Sequence, residues 1–168
     1  MPTVRRTRTI DASPEELWEV LGDPHHLPRW WPRVSRVEAV TLTGTGDLDA
    51  FTEVLTGPSG KIVRADFKLL EQVDRQRIVW SQQVENTPFA RVLRSAETEI
   101  AIVEGHGGDR RATEVTIELR QELQGFSHRP TGGSWIAGLS RFGSPLVRRA
   151  AHSTIGEALD GLERIVGH

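Results

Sequence analysis

Residues 10–37 read IDASPEELWEVLGDPHHLPRWWPRVSRV, and this order of residue types predicts a strand, a capped helix, a short helix and a second strand. Ser13 is a typical N-cap residue, Pro14 suits the first helical position, and Glu16 completes a capping box. Apolar residues then recur at helical spacing. Gly22-Asp23-Pro24 is expected to end this helix, because glycine permits the exit and proline cannot continue a helix.

The segment after Pro24 has room for one more helical turn, over residues 25–31, before Pro32 stops it. Residues 34–42 are rich in β-branched side chains, which favour a strand. The sequence therefore predicts two short helices between the first strand, at residues 4–10, and the second.

Five further runs with strand character follow, separated by turn-forming residues. No helical pattern separates them, so we expect antiparallel hairpins and, with the first two strands, one seven-stranded sheet. After a segment rich in Gly, Ser and Pro, a long C-terminal helix with one apolar face is expected, broken or restarted near residues 143–145. The predicted fold class is α+β, and the five later strands are placed at residues 48–55, 61–71, 77–84, 91–103 and 111–123.

Three short motifs carry a family resemblance: SPEELW at 13–18, Asp-Pro at 23–24 and Trp-Trp-Pro at 30–32. They resemble the START-like superfamily, also called SRPBCC, helix-grip or Bet v allergen-like. Within it the likeness is greatest to the polyketide cyclase/dehydrase and lipid transport branch, with the heat-shock ATPase activator-like branch as a neighbour. The resemblance implies a single domain over residues 1–168, whose curved sheet wraps around the C-terminal helix and encloses a cavity for a hydrophobic ligand.

The overall composition disfavours several classes of function. With 168 residues, 37% hydrophobic content and a formal net charge of −2, the chain can bury a core but lacks the basic field of a nucleic-acid-binding protein. It contains no cysteine, which excludes thiolate catalysis and disulfides. The absence of a long apolar stretch predicts no membrane-spanning segment and a cytoplasmic location. We expect no cofactor. We also expect no metal site, because neighbouring His25 and His26 would point apart on a short helix, which favours their interpretation as surface residues.

Strand alternation predicts which side chains face the helix and line the cavity. Phe67 on the fourth strand shares the inward direction with Trp80 and Gln82 on the fifth. The phase of the sixth strand also places Arg94 inward. A buried cation needs a partner, and Glu53 on the third strand is the nearest candidate. A structural ion pair or a slipped register remains the alternative for Arg94.

A stripe of apolar residues follows the Gly-rich segment at helical spacing: Trp135, Leu139, Phe142 and Leu146. These residues are expected either to form the lip of the cavity or to belong to the ordinary core. Of the two adjacent tryptophans, Trp31 is assigned to the cavity and its neighbour to anchoring the short helix.

The function predicted from these features is the binding or carriage of a hydrophobic small molecule, such as a polyketide, a lipid or a quinone-like compound, with Arg94, Gln82 and Glu53 orienting its polar end. The alternative is a polyketide aromatase/cyclase or dehydratase, in which Arg94 stabilises an enolate and His152 is the general base; a solvent-facing His152 is the competing interpretation. The third possibility is a protein-interaction module of the heat-shock activator type, which requires an exposed apolar patch and a filled core.

Overall fold

The chain folds into a curved antiparallel sheet of seven strands that is closed on its concave side by helices. The computed structural model describes residues 3–105, 112–124 and 143–166. The strand boundaries agree with the sequence prediction to within two residues at each end. The strands are β1 (Thr3–Asp11), β2 (Val34–Leu42), β3 (Leu48–Thr56), β4 (Ile62–Val73), β5 (Arg77–Gln83), β6 (Leu93–Glu104) and β7 (Ala112–Leu123).

The strand order is β1-β7-β6-β5-β4-β3-β2, and every neighbouring pair is antiparallel. Strands β2 to β7 therefore follow one another as sequential neighbours in the sheet. The first strand pairs with the last, so β1 and β2 form the two edges. The chain crosses between these edges through the helical segment of residues 14–30, which covers one end of the concave face.

This crossing segment contains the helix α1 (Pro14–Leu21), a 3₁₀ turn (Pro24–His26) and the single-turn helix α2 (Leu27–Trp30). The predicted N-cap is confirmed, because the backbone N–H of Glu16 donates to Ser13 Oγ at 3.2 Å. The apolar stripe of α1 is buried in the core, as its helical spacing requires. The two short helices expected between β1 and β2 are thus present.

The long C-terminal helix α3 (Gly143–Val166) lies across the concave face and contacts β1, β7 and α2. Its buried face includes Ile155, Ala158, Leu159 and Leu162, each at most 1% exposed. Gly161 allows α3 to approach the backbone of Trp30 closely. The Gly-rich segment that precedes α3 lies outside the described residues.

The inward and outward faces agree with the predicted alternation on β4, β5 and β7 but not at the start of β6. Leu93 pairs with Leu123, whereas Ser95 pairs with Glu122, so β6 has one residue more than β7 at this point. The extra residue is Arg94. A bulge of this kind reverses the side-chain phase, which is why strict alternation gave the wrong face for Arg94.

The expected buried cation at Arg94 is therefore a wrong prediction. Its side chain is 64% exposed. Its Nη1 atom lies 3.4 Å from Glu122 Oε1, and its Nε donates to Gln124 Oε1 at 3.4 Å. Arg94 thus forms a surface ion pair on β7 and does not pair with Glu53.

Candidate ligand-binding cavity

A cavity of about 190 Å³ lies between the concave face of the sheet and α3. Strands β3 to β7 supply its floor, residues 147–154 of α3 cover it, and the segment that joins α2 to β2 closes one end. The lining is mostly apolar and includes Leu55, Ala65, Phe67, Phe89, Val92 and Leu119.

The cavity exists because small side chains face each other across it. Ala65 and Ala96 lie on the floor, and Ala150 and Ala151 lie on the part of α3 above them. Further along α3 the larger side chains of Ile155, Leu159 and Leu162 fill the core. The space is therefore encoded by a change from small to large residues along one helix.

Aromatic rings form one wall of the cavity. Trp31 and Phe67 border it directly. Trp80 was predicted to do so as well, but it is 3% exposed and lies two residues before Gln82 on the same face of β5, outside the lining. There it packs edge-on against Trp31, at 6.4 Å between ring centroids, and against Phe51, at 5.9 Å. Trp80 supports the aromatic wall instead of forming its surface, because neighbouring rings bury it.

The adjacent tryptophans divide their roles as the sequence indicated. Trp30 is 3% exposed and packs against α3 at Gly161, which anchors α2. Trp31 meets it edge-to-face at 5.4 Å and directs its ring toward the cavity. The end of α2 therefore fixes the position of the aromatic wall.

Gln82 borders the cavity from β5, directly opposite Phe67 on β4. Its Nε2 atom is buried and has no hydrogen-bond partner within the described part of the chain. Buried amide groups are nearly always hydrogen-bonded, and an unpaired one costs about 1–3 kcal/mol. The Gln82 amide is therefore a donor that a bound molecule can satisfy.

Glu53 borders the cavity from β3, where it is 3% exposed and opposite Ala65 on β4. Among the described residues it has neither a hydrogen bond nor an ion pair. Burial raises the pKa of the Glu53 carboxyl to about 8, since removal from water disfavours the charged form. The carboxyl is accordingly protonated at neutral pH.

Two other charged residues border the same cavity, Arg33 before β2 and Glu97 on β6. Glu97 is paired with Arg120 at 3.2 Å. A second charged cluster on the opposite face of the sheet joins Glu38 to Arg36 and Arg64. The raised pKa of Glu53 has burial as its cause, without an offsetting contribution from these cations.

The remaining predicted site residues lie elsewhere. His152 is exposed on α3 and is not one of the residues that border the cavity. Leu146 is half-buried near the start of α3, one residue before the cavity lining begins. The residues Trp135, Leu139 and Phe142 lie outside the described part of the structure.

Phe89 is a lining residue that the sequence did not indicate. It lies in a 3₁₀ turn, Pro88–Arg91, between β5 and β6 and is 7% exposed. Neither strand nor helix periodicity applies to such a turn, so the sequence provides no direction for its side chain.

Within the described ranges, no group of three or more His, Cys, Asp or Glu residues is arranged to hold a metal ion. The imidazole of His25 lies 2.8 Å from Asp23 Oδ1 at the surface, in agreement with its interpretation as a surface residue. The same ranges contain no helix long and apolar enough to cross a membrane.

The sheet, the crossing helices and the cavity under α3 define a helix-grip, START-like protein. The sequence matches the family described as polyketide cyclase / dehydrase and lipid transport over residues 1–167, and the chain belongs to that family. No curated protein sequence matches it significantly.

Solved structures agree with this fold. A START superfamily protein from Mycobacterium smegmatis is 18% identical, with a TM-score of 0.72 and coverage of 98% of this chain and 96% of that one. The di-domain ARO/CYC proteins BexL, from the BE-7585A biosynthetic pathway, and StfQ, from the steffimycin pathway, are 17% and 12% identical, with TM-scores of 0.68 and 0.71. Both matches include 98% of this chain, but they include only 46% of BexL and 50% of StfQ. At these identities the likeness establishes the fold alone.

Proposed function

We propose that this protein binds one small, largely apolar molecule in the cavity beneath α3. The observation that carries the proposal is the combination of an apolar, partly aromatic lining with two polar groups, Gln82 Nε2 and the Glu53 carboxyl, that have no protein partner in the described structure. A fold selected for stability alone would fill such a space and pair such groups. Membership of a family that includes lipid transport proteins is consistent with this role.

The volume of the cavity limits the size of the ligand. A cavity of about 150 Å³ accepts benzene, and drug-sized ligands occupy roughly 300–1,000 Å³. At about 190 Å³ this cavity suits a compound of one or two fused rings. Burial of roughly 250 Å² of apolar ligand surface contributes about 6 kcal/mol before the cost of association, which corresponds to binding weaker than nanomolar.

A thermal unfolding series with small aromatic ketones, quinones, fatty acids and sterols tests the proposal. A ligand at about 100 times its dissociation constant stabilises the fold by about 2.7 kcal/mol, which raises Tm by about 5–11 °C in a protein of this size. We expect this shift with the one- and two-ring compounds. The Ala96→Leu variant, which fills the cavity from β6, should lose the shift while it remains folded.

Matched controls for this series are Arg94→Ala, two residues away on the same strand, and His152→Ala, next to the lining residue Ala151. Both side chains lie at the surface, so both variants should retain the full ligand-induced shift. Absence of a shift with all compounds, or an unchanged shift in Ala96→Leu, would show that the cavity is not a ligand site.

An enzyme of the cyclase or dehydratase type is the second candidate, and Glu53 is the observation that favours it. Arg94 and His152, which the sequence suggested as the reacting pair, are both exposed at the surface. A buried carboxyl with a pKa near 8 is poised for general acid–base chemistry close to neutral pH. Exchange of the α-hydrogens of a bound ketone with deuterated water, lost in Glu53→Gln, would favour the enzyme over the carrier.

The protein-interaction alternative requires a filled core, whereas this structure contains a cavity lined by 20 described residues. The large exposed apolar residues of the described part are distributed over β2, β4 and β6: Leu42, Ile62, Leu70, Val73 and Val103. These observations give the interaction module less support than ligand binding.

A further inference from the structure

Two polar side chains of the cavity wall present hydrogen-bond donors that the protein leaves unused. Gln82 Nε2 is buried and unpaired in the described structure. Glu53 is 3% exposed, and its carboxyl forms neither a hydrogen bond nor an ion pair with any described residue. Both groups lie on the concave face, where the neighbouring lining residues Leu55, Ala65 and Phe67 are apolar.

The protonation state of Glu53 decides what this pair can recognise. Its neighbours across the strands, Val37 on β2 and Ala65 on β4, are apolar. From α3, the described residues at the cavity are Val147, Ala150, Ala151 and Thr154, none of which is charged.

The charged residues at the same cavity are Arg33 and Glu97, and Glu97 is already paired with Arg120. Burial keeps the pKa of Glu53 near 8, so its carboxyl carries a proton at pH 7 and acts as a hydrogen-bond donor. A neutral carboxylic acid in an apolar site is an established type of donor to a carbonyl oxygen.

The positions of the two donors favour separate acceptor atoms. Glu53 is opposite Ala65, and Gln82 is opposite Phe67, two residues further along β4. Two strand spacings and one two-residue step place the two Cα atoms about 12 Å apart. One ligand oxygen per donor is the simplest arrangement at this separation.

We propose, on the basis of the proposed function, that the ligand carries carbonyl oxygens as its polar groups, one bound by the Glu53 carboxyl and one by the Gln82 amide. A cationic amine is the ligand class that this arrangement disfavours, because the Gln82 amide nitrogen and a protonated carboxyl both donate. Affinity for the carbonyl compound decreases when Glu53 ionises, since a carboxylate repels a carbonyl oxygen and cannot donate to it.

The test compares 1-tetralone with tetralin, which share a ring skeleton and differ in one carbonyl group, and adds 1,4-naphthoquinone, which has two. Calorimetric titration of the full chain gives the affinity ratio of each carbonyl compound to the hydrocarbon. For the quinone we expect this ratio to fall about fivefold in both Glu53→Leu and Gln82→Leu, because a neutral hydrogen bond is worth about 1 kcal/mol. The matched control is Gln83→Leu, at an exposed glutamine next to Gln82 on β5 that does not border the cavity, which should leave the ratio unchanged.

A pH series separates a donor from a residue that only shapes the cavity. In the wild type the quinone-to-hydrocarbon ratio should be constant near pH 6 and fall about fivefold by about pH 10, after Glu53 has ionised. Glu53→Gln retains a donor that does not titrate, so this variant should keep the ratio at both pH values. The conservative variant thus restores the preference that Glu53→Leu removes.

The outcomes are distinguishable. If none of the three compounds binds, both the inference and the proposed function fail. If tetralin and the carbonyl compounds bind and the ratios are insensitive to Glu53→Leu, Gln82→Leu and pH, the cavity is a ligand site but the carbonyl assignment is wrong. Tighter binding of 1-aminotetralin than of 1-tetralone near pH 7 would also overturn it, because Glu53 would then act as an anion.

Discussion

We expect Glu53→Gln to be more stable than the wild type at neutral pH by about 3 kcal/mol. In the unfolded chain Glu53 has its ordinary pKa of about 4.5, whereas burial in the folded protein raises this pKa to about 8. Between these pH values the unfolded state releases a proton that the folded state keeps. The contribution of Glu53 to stability is therefore greatest below pH 4.5, decreases as the pH rises to about 8, and is constant above that.

Urea unfolding at a series of pH values measures this effect as the difference between variant and wild type. The difference should increase by about 1.4 kcal/mol for each pH unit within the window. Glu85→Gln, at an exposed position just after β5, is the matched control and should follow the wild type at every pH. A pH-independent difference between Glu53→Gln and the wild type would mean that Glu53 ionises normally in the folded protein.

The second large effect is expected for Gly161→Ala, which should lower the free energy of unfolding by about 3 kcal/mol or more. An added Cβ would lie 2.5 Å from the carbonyl oxygen and 2.9 Å from the Cα of Trp30. Both are backbone atoms and cannot rotate away, so α2 and α3 must separate. This cost exceeds the gain of about 1 kcal/mol that alanine brings over glycine in a helix.

The control for Gly161→Ala is Gly156→Ala, five residues earlier in the same helix. There the added Cβ would meet the guanidinium end of Arg6, a flexible side chain that can move. Gly156→Ala should therefore be neutral or up to about 1 kcal/mol more stable than the wild type. Equal behaviour of the two variants in chemical unfolding would contradict the close packing of α2 against α3. Because Trp31 follows α2 directly, only Gly161→Ala should also weaken ligand binding.

Local signals in the sequence were sufficient to predict most of the fold. The capping residues around Ser13 and the glycine and proline that follow the helix set the crossing segment, and β-branched runs set the strands. Each of these signals depends on neighbouring residues only. Alternation then gave the correct inward face wherever the ladder is regular, which placed Phe67 and Gln82 at the cavity.

Arg94 shows where such reasoning fails. A bulge is a property of two paired strands, since it depends on how many residues of β6 oppose β7. Nothing in the β6 sequence alone distinguishes an extra residue from a regular one. Alternation therefore placed a cation in the cavity, whereas the bulge turns Arg94 to the surface and leaves Glu53 without the partner assigned to it.

The cavity itself was predicted from the family resemblance and not from the residues. Its volume depends on the fit between Ala65 and Ala96 on the sheet and Ala150 and Ala151 on α3, which are distant in sequence. Trp80 shows a related difficulty. Alternation predicts which face of the sheet a side chain occupies, but it does not predict whether another ring covers that side chain. Layers of packing are therefore beyond a single-sequence argument.

The most direct test of ligand binding in the cavity is an NMR measurement of contacts between 1-tetralone and the isotope-labelled protein. We predict intermolecular nuclear Overhauser effects from the ligand to Phe67 on the sheet and to Ala96 and Ala151, on opposite walls of the cavity. Effects confined to residues of the outer face of the sheet, or none at saturating ligand, would contradict the account.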